Sequence, residues 1–178
     1  IYVSEADLGY MPYVTSWITS RTKDGKDLEP LFTKYTSAFL NFIRIELKSK
    51  MSIADISLCT SCTTLVDALL TDLPEPPDAS ALERFVLYSM FTTMAGVLES
   101  ADRAKVDKFL RTLTNNLPDV EHPDTVFEYK IDTEDPSYPW VAWGSLIPGW
   151  SFTEQPAQLG KQFASLLLSL IHISEPTR

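Results

Sequence analysis

The chain has 178 residues, of which 44% are hydrophobic and 22% charged, with a formal net charge of -9 and a pI near 4.6. This composition excludes a disordered linker. The acidic balance, with no run of Lys or Arg, argues against nucleic acid or anionic lipid as the main partner, because both need a basic surface to displace counterions. A chain of this size can bury roughly 70% of the surface its unfolded form exposes. The most apolar stretch, 85–98, is too short to span a bilayer and is interrupted by Ser89, Thr92, Thr93 and Gly96. No signal peptide is visible at the start. Two cysteines exclude a disulfide framework and point to a reducing compartment.

The sequence starts at Ile1 rather than Met, and its last eleven residues, Leu168–Arg178 (LSLIHISEPTR), match the translation of a transposase-type sequencing adapter residue for residue. Neither end is therefore expected to be a natural terminus. About Ile1 to Leu167 is taken as native, and 168–178 as an artefactual tail. Removing the tail takes one Glu and one Arg, which leaves the charge argument unchanged.

In chain order, Ile1–Val3 reads as the end of a strand, and Gly9 breaks it. Pro12 suits a first helical turn, and Tyr13, Val14 and Trp17 follow at helical spacing, predicting a helix over 12–20. Lys23, Asp24 and Gly25 make a turn. Leu28, Leu31, Phe32, Tyr35, Phe39, Phe42, Ile43 and Leu47 then share one helical face, with Asp27 expected as the N-cap and Pro30 in the first turn. Ser52 and Asp55 resemble a capping box for a helix to about Leu70, ended by Pro74, Pro76 and Pro77. Ser80 and Glu83 form a second such pattern, for a helix to about Glu99. Its apolar residues (Phe85, Val86, Leu87, Tyr88, Met90, Phe91, Met94 and Val97) cover nearly its whole circumference. It should be the buried central helix.

Ser100 is the expected cap of the next helix, where Val106, Phe109, Leu110, Leu113 and Leu117 form a stripe that Pro118 closes. From Thr125 to Ile131 the period changes to two, Asp135-Pro136-Ser137 makes a turn, and Trp140–Trp143 can return as a second strand. Residues 148–160 read as a connector rich in Pro, Gly and polar residues. The expected fold is mainly α: a helical subdomain of about five helices over 1–120, then a β-hairpin and connector over 121–167.

Enzymatic motifs are missing. Cys59-Thr60-Ser61-Cys62 lacks the second ligand pair a zinc site needs, and it lies inside an amphipathic helix rather than at a strand-to-helix turn. Two small core residues are the better reading. His122 has no recognisable nucleophile to serve. The acids Glu128, Asp132, Glu134 and Asp135 are explained by a solvated turn. Neither G-x-x-x-x-G-K-[ST] nor G-x-G-x-x-G occurs, so no phosphate cradle can be built from this chain alone. No catalytic and no metal-binding residue is assigned, and the fragment is not expected to be an enzyme. The aromatic hairpin, with Tyr129, Trp140 and Trp143, is expected to cover an apolar surface.

Several segments together resemble the dynein heavy chain family. IYVSEADLGYMPYVTSW is similar to the strand and L-G-W/Y-x-P-x-x-x-S-W helix that follow the sensor-1 region of the second AAA+ module, matched by Tyr2, Leu8, Gly9, Tyr10, Pro12, Ser16 and Trp17. LEPLFTKYTSAFLNFIR resembles the next lid helix. TVFEYKIDTEDPSYPWVAWGSLIP resembles the T-V-Y-D-Y … W-x-x-W … P hairpin through Thr125, Val126, Tyr129, Trp140, Trp143 and Pro148. QFASLL, 162–167, is similar to the run that leads toward the third module. The overall texture favours the axonemal branch over the cytoplasmic one.

That resemblance implies the helical lid of an AAA+ module, closing over a nucleotide that is held structurally rather than turned over. The parent would be an ATP-driven, minus-end-directed microtubule motor of cilia and flagella. It would bind ATP or ADP with Mg, none of it held by the fragment alone. Its partners would be the rest of the AAA+ ring, microtubules and the intermediate and light chains, and its place the cytoplasm, cytoskeleton and ciliary axoneme. Leu8, Gly9 and Pro12 would form a hinge close to the nucleotide's base, or would merely set the angle at which the chain enters the helix. Arg84 is the nearest candidate for a phosphate-sensing lid arginine, although the family pattern does not place one there. The competing reading is a free-standing helical interaction module with the aromatic hairpin as its binding surface. The two differ in exposure, because a lid separated from its ring should leave an apolar face uncovered.

Overall fold

A computed structural model describes residues 9–47, 53–71, 73, 75–120 and 124–146. The chain divides into two units, Ile1–Gly144 and Ser145–Arg178, and only Ser145 and Leu146 of the second are described. The expected strand at Ile1–Val3, the capping residue Ser52, the connector at 148–160 and the tail at 168–178 lie outside the described residues.

Helix α1 (Met11–Ser20) carries Pro12 in its first turn, where a missing N–H leaves nothing unpaired. It buries Val14 and is fastened by its polar atoms. The Trp17 indole donates to Asp67 at 2.9 Å and its ring lies 5.1 Å from Phe32, while the Tyr13 and Thr63 hydroxyls meet at 2.9 Å. Thr22–Asp24 then turn the chain into α2 (Gly25–Ile45). Gly25 is required at this approach, since a Cβ there would stand 2.6 Å from the Ile18 carbonyl oxygen.

Helix α2 starts two residues ahead of the expected cap. Asp24, not Asp27, is its N-cap, and makes no side-chain cap bond; its carboxylate is held by Arg21, whose Nε donates to it at 2.6 Å. Pro30 consequently lies in the second turn rather than the first. The Lys26 carbonyl it leaves without a helical donor belongs to an exposed residue. The predicted apolar face is the buried one: Leu28, Phe32, Tyr35, Phe39, Ile43 and Leu47 are all nearly inaccessible. At about 1.5 Å per residue this helix runs roughly 30 Å.

Helix α3 (Asp55–Thr71) turns Leu58, Cys59, Cys62, Thr63 and Val66 inward. Asp55 is occupied by Arg44 of α2, whose Nε donates at 2.8 Å. The small residues on this face let α3 lie close against α4 (Ala79–Met94), the most extensive helix pairing among the described residues. Both cysteines are free and buried. Burial pushes the Cys59 thiol up to about 12, and pushes the fully enclosed Cys62 higher still. They are core residues.

Helix α4 is the central helix, with Ala81, Leu82, Phe85, Val86, Leu87, Ser89, Met90, Phe91 and Met94 buried around it. Its start differs from expectation. Asp78, in extended backbone, accepts the Ala81 N–H at 2.6 Å and is the cap, so Ser80 falls within the helix. Glu83 is drawn away by the Tyr35 hydroxyl and by Asn116, whose Nδ2 donates at 2.9 Å. The helix ends at Met94, short of Glu99, where Ala95–Leu98 turn the chain through a 3.1 Å bond from the Leu98 N–H to the Ala95 carbonyl. Helix α5 (Ser100–Leu113) follows, with Glu99 rather than Ser100 in the N-cap position, and buries Val106 and Leu110.

The segment after α5 is only partly strand. Residues Val126–Glu128 form a 3-10 turn closed by a capping box, in which Glu128 accepts the Thr125 N–H at 2.7 Å. That reciprocal pairing overrides the alternation, so β1 is confined to Tyr129–Ile131. It pairs antiparallel with β2 (Trp140–Ala142) in the register Tyr129 to Ala142, Lys130 to Val141 and Ile131 to Trp140. Trp143 opens a second 3-10 turn, Trp143–Leu146, instead of extending the strand. Ile131 and Tyr138 form a small secondary core with Ala81 and Phe85 of α4. Among the described residues no helix is long and apolar enough to cross a membrane.

Phe85 is fully buried, with its ring 5.3 Å from Tyr138. Phe85→Ala should destabilise the chain by about 3–5 kcal/mol, measured by denaturant unfolding. A loss under about 1 kcal/mol would mean the helix and hairpin do not share a core. Both thiols should also resist maleimide near neutral pH in the folded chain and react in full in guanidinium. Rapid labelling without denaturant would contradict their burial.

Candidate functional site

The residues expected near a nucleotide fall at two places. Leu8 lies outside the described residues. Gly9 stands exposed with φ +62°, a left-handed conformation that glycine adopts without strain, and among the described residues beyond its chain neighbours no atom lies within 4 Å of where its Cβ would be. Pro12 is exposed as well, and Met11 between them is 50% exposed. The leading edge of α1 is therefore open, with an apolar side chain on it.

Beside that edge, α1 and the start of α2 enclose a cleft of about 310 Å³, walled by Met11, Val14, Ile18 and Phe32 and edged by Arg21 and Lys26. Arg21 fixes the cleft's far corner. It bonds Asp24 and Asp67 together and lies 5.1 Å from the Trp17 ring centre. The hydrogen bond from Arg21, and then its charge, hold the Asp24 carboxyl below the usual carboxylate range despite some burial. Trp17, Arg21 and Tyr13 are thus all tied to α3.

Arg84 does not join this edge. It projects from α4 into the hairpin, where its Nη2 donates to the Ser137 carbonyl at 2.7 Å, and its Nε is buried without a hydrogen-bond partner among the described residues. The guanidinium holds the hairpin turn against the helix.

The hairpin residues separate. Trp140 packs inward, 6.1 Å from Phe91 and 6.3 Å from Tyr88, with its Nε1 donating to the Asn116 carbonyl at 3.4 Å. Tyr129 is half-buried and its hydroxyl donates to the Asp119 carbonyl at 3.3 Å. Trp143, expected to cover the apolar surface, is instead 48% exposed, with the Lys130 ammonium 5.6 Å from its ring. The 3-10 turn at this point swings it off the strand's inner face.

Two structural devices were not visible in the sequence. Asp67 receives both Trp17 and Arg21 from elements some fifty residues away. Glu83 gathers Tyr35, Asn116 and Lys34. Burial pushes the Glu83 carboxyl up, but those hydrogen bonds and the lysine charge outweigh it and leave it below its ordinary value. No local pattern marks such partners. His122 lies outside the described residues, and among those described no group of three or more His, Cys, Asp or Glu could hold a metal ion.

The pattern of the dynein heavy chain AAA lid domain matches residues 28–145, from the second turn of α2 through the hairpin. The chain is 33% identical over 172 residues to the dynein gamma chain of the flagellar outer arm of Chlamydomonas reinhardtii, an alignment covering 94% of this chain. It is 30% identical over 185 residues to dynein axonemal heavy chain 11 of Sus scrofa, and 25% identical over 200 residues to the Dynein-1-alpha heavy chain of the Chlamydomonas reinhardtii flagellar inner arm I1 complex. The chain spans about 4% of the length of these relatives. With five helices and a capped aromatic hairpin among the described residues and a family pattern running over 28–145, the chain belongs to the dynein heavy chain AAA lid domain family.

Proposed function

We propose that this chain is the lid of the second AAA+ module of an axonemal dynein heavy chain, closing over a nucleotide that a preceding stretch of polypeptide holds. The lid proper would be 1–120, with 121–167 the hairpin and connector toward the third module and 168–178 an artefactual tail. One observation carries the reading: the edge of α1 at Gly9, Met11 and Pro12 is open, in a unit whose helices are otherwise well packed. In this reading the preceding large subdomain covers that edge. The family match and the axonemal and flagellar names of the relatives support the choice of parent.

In this reading the lid moves as a rigid body. The Asp67 clamp transmits any rotation at Gly9 to α1, α2 and α3 together, and the bistable contacts lie outside the chain. The nucleotide would be ATP or ADP with Mg, and Leu8, Gly9 and Pro12 would lie beside its base. The chain alone supplies no phosphate cradle, so the ATP-hydrolysing activity would belong to the whole motor. The motor's partners would be the remaining ring, microtubules and associated chains, and its place the ciliary axoneme. Arg84 is committed to Ser137. It could reach a phosphate only by breaking that bond, which favours a bound, unhydrolysed nucleotide.

The test extends the open reading frame upstream by a few hundred residues and photolabels the product with an 8-azidoadenine nucleotide. Label should be recovered on the tryptic peptide containing Gly9–Arg21. Label confined to upstream peptides, or an upstream sequence with no P-loop, would overturn the assignment. The 178-residue chain by itself should turn over no ATP in a coupled assay. Robust turnover that is lost on substituting a residue within it would contradict the reading equally.

A further inference from the structure

Helix α5 presents a charge opposite to that of the chain as a whole. Its two acids point inward or sideways: Asp107 accepts the Val126 N–H at 3.0 Å and the Arg111 guanidinium at 2.9 Å, and Asp102 is mostly covered beneath Lys105. Arg103, Lys105, Lys108 and Arg111 remain exposed along the outer face, in a protein of net charge -9. Lys108 has no ion-pair partner among the described residues.

Next to this basic strip the surface turns aromatic. Phe42 of α2 and Phe109 of α5 stack with ring centres 4.0 Å apart and planes parallel. Both are only half-buried. They floor an open groove of about 450 Å³ whose sides are Glu46, Lys105 and Lys108. Ile45, next to Glu46 in the chain, is 77% exposed, the most exposed large apolar side chain among the described residues. Exposed aromatic area with two lysines along one wall and a glutamate on the other is the composition of a recognition surface rather than of a solvated helix back.

We propose that the groove between the C-terminal end of α2 and α5 docks an acidic protein segment bearing one large apolar side chain, supplied by another polypeptide. The apolar side chain lies on the Phe42–Phe109 stack and against Ile45. Flanking carboxylates meet Lys105 and Lys108, and Glu46 sets the direction by repelling acids from the opposite wall. Charge complementarity selects this occupant. Over most of the chain's surface the net negative charge repels an acidic segment, and this face attracts it. The inference is independent of whether the α1 edge meets a nucleotide.

The probe is a fluorescein-labelled peptide with one Phe flanked by Glu residues, titrated with the 178-residue chain and followed by polarisation. Binding should saturate, weaken on raising salt and weaken at least about tenfold for Lys105→Gln with Lys108→Gln. Circular dichroism should show those variants folded, since both side chains are exposed. As a second measurement, amide shifts in the unaltered chain should cluster at Phe42, Ile45, Lys105, Lys108 and Phe109. The proposal is overturned by a lack of saturable binding, by equal binding of the Lys-for-Glu peptide, or by shifts centred elsewhere. Preference for an oligodeoxythymidine over the peptide would also overturn it, assigning the face to nucleic acid.

Discussion

A helix that is apolar around nearly its whole circumference must be covered on most sides, and α4 imposes that constraint on everything else. Burying Phe85, Leu87, Met90, Phe91 and Met94 at once requires neighbours in several directions. Helices α2 and α3 pack directly against it, and the hairpin covers it through Ile131, Tyr138 and Trp140. The hairpin is therefore part of the helical core's closure, although its strands are only three residues each. An isolated ribbon of that length would not persist in water.

The edge at α1 is open for a related reason. Helix α1 is held by directional bonds more than by burial, with Val14 its one fully buried residue and Asp67 receiving both an indole and a guanidinium. Such a clamp fixes orientation while leaving the outer side of the helix uncovered. Gly9, two residues ahead of the helix, takes the left-handed conformation that glycine adopts without strain.

Sequence periodicity made the helical part of this arrangement legible. The α2 stripe and the all-round apolar character of α4 are properties of local spacing, and both emerged as read. The family pattern was legible for the same reason, since its residues recur in fixed order. What escaped was decided partly by distant partners and partly by short-range pairs that override the periodicity. Ser80 and Glu83 have the right spacing for a cap, but Tyr35, 48 residues away, takes the carboxylate, and Asp78 caps instead. Asp27 gave way to Asp24 because Arg21 and Gly25 reset the turn. Thr125–Ile131 alternates like a strand, yet Thr125 and Glu128 close on each other first. The positions of Arg84 and Trp143 depended on the hairpin turn and could not be anticipated from spacing.

Tyr138 adopts φ 47°, an uncommon conformation for a residue with a bulky side chain, while buried against Phe85 and hydrogen-bonded to Glu75 on the segment between α3 and α4. With Arg84 gripping the adjacent Ser137, the tip of the ribbon is latched to the helices at two successive residues. The ribbon is thus anchored to the bundle at its tip, the end opposite to the pairing of Tyr129 with Ala142, through an aromatic ring and a peptide carbonyl.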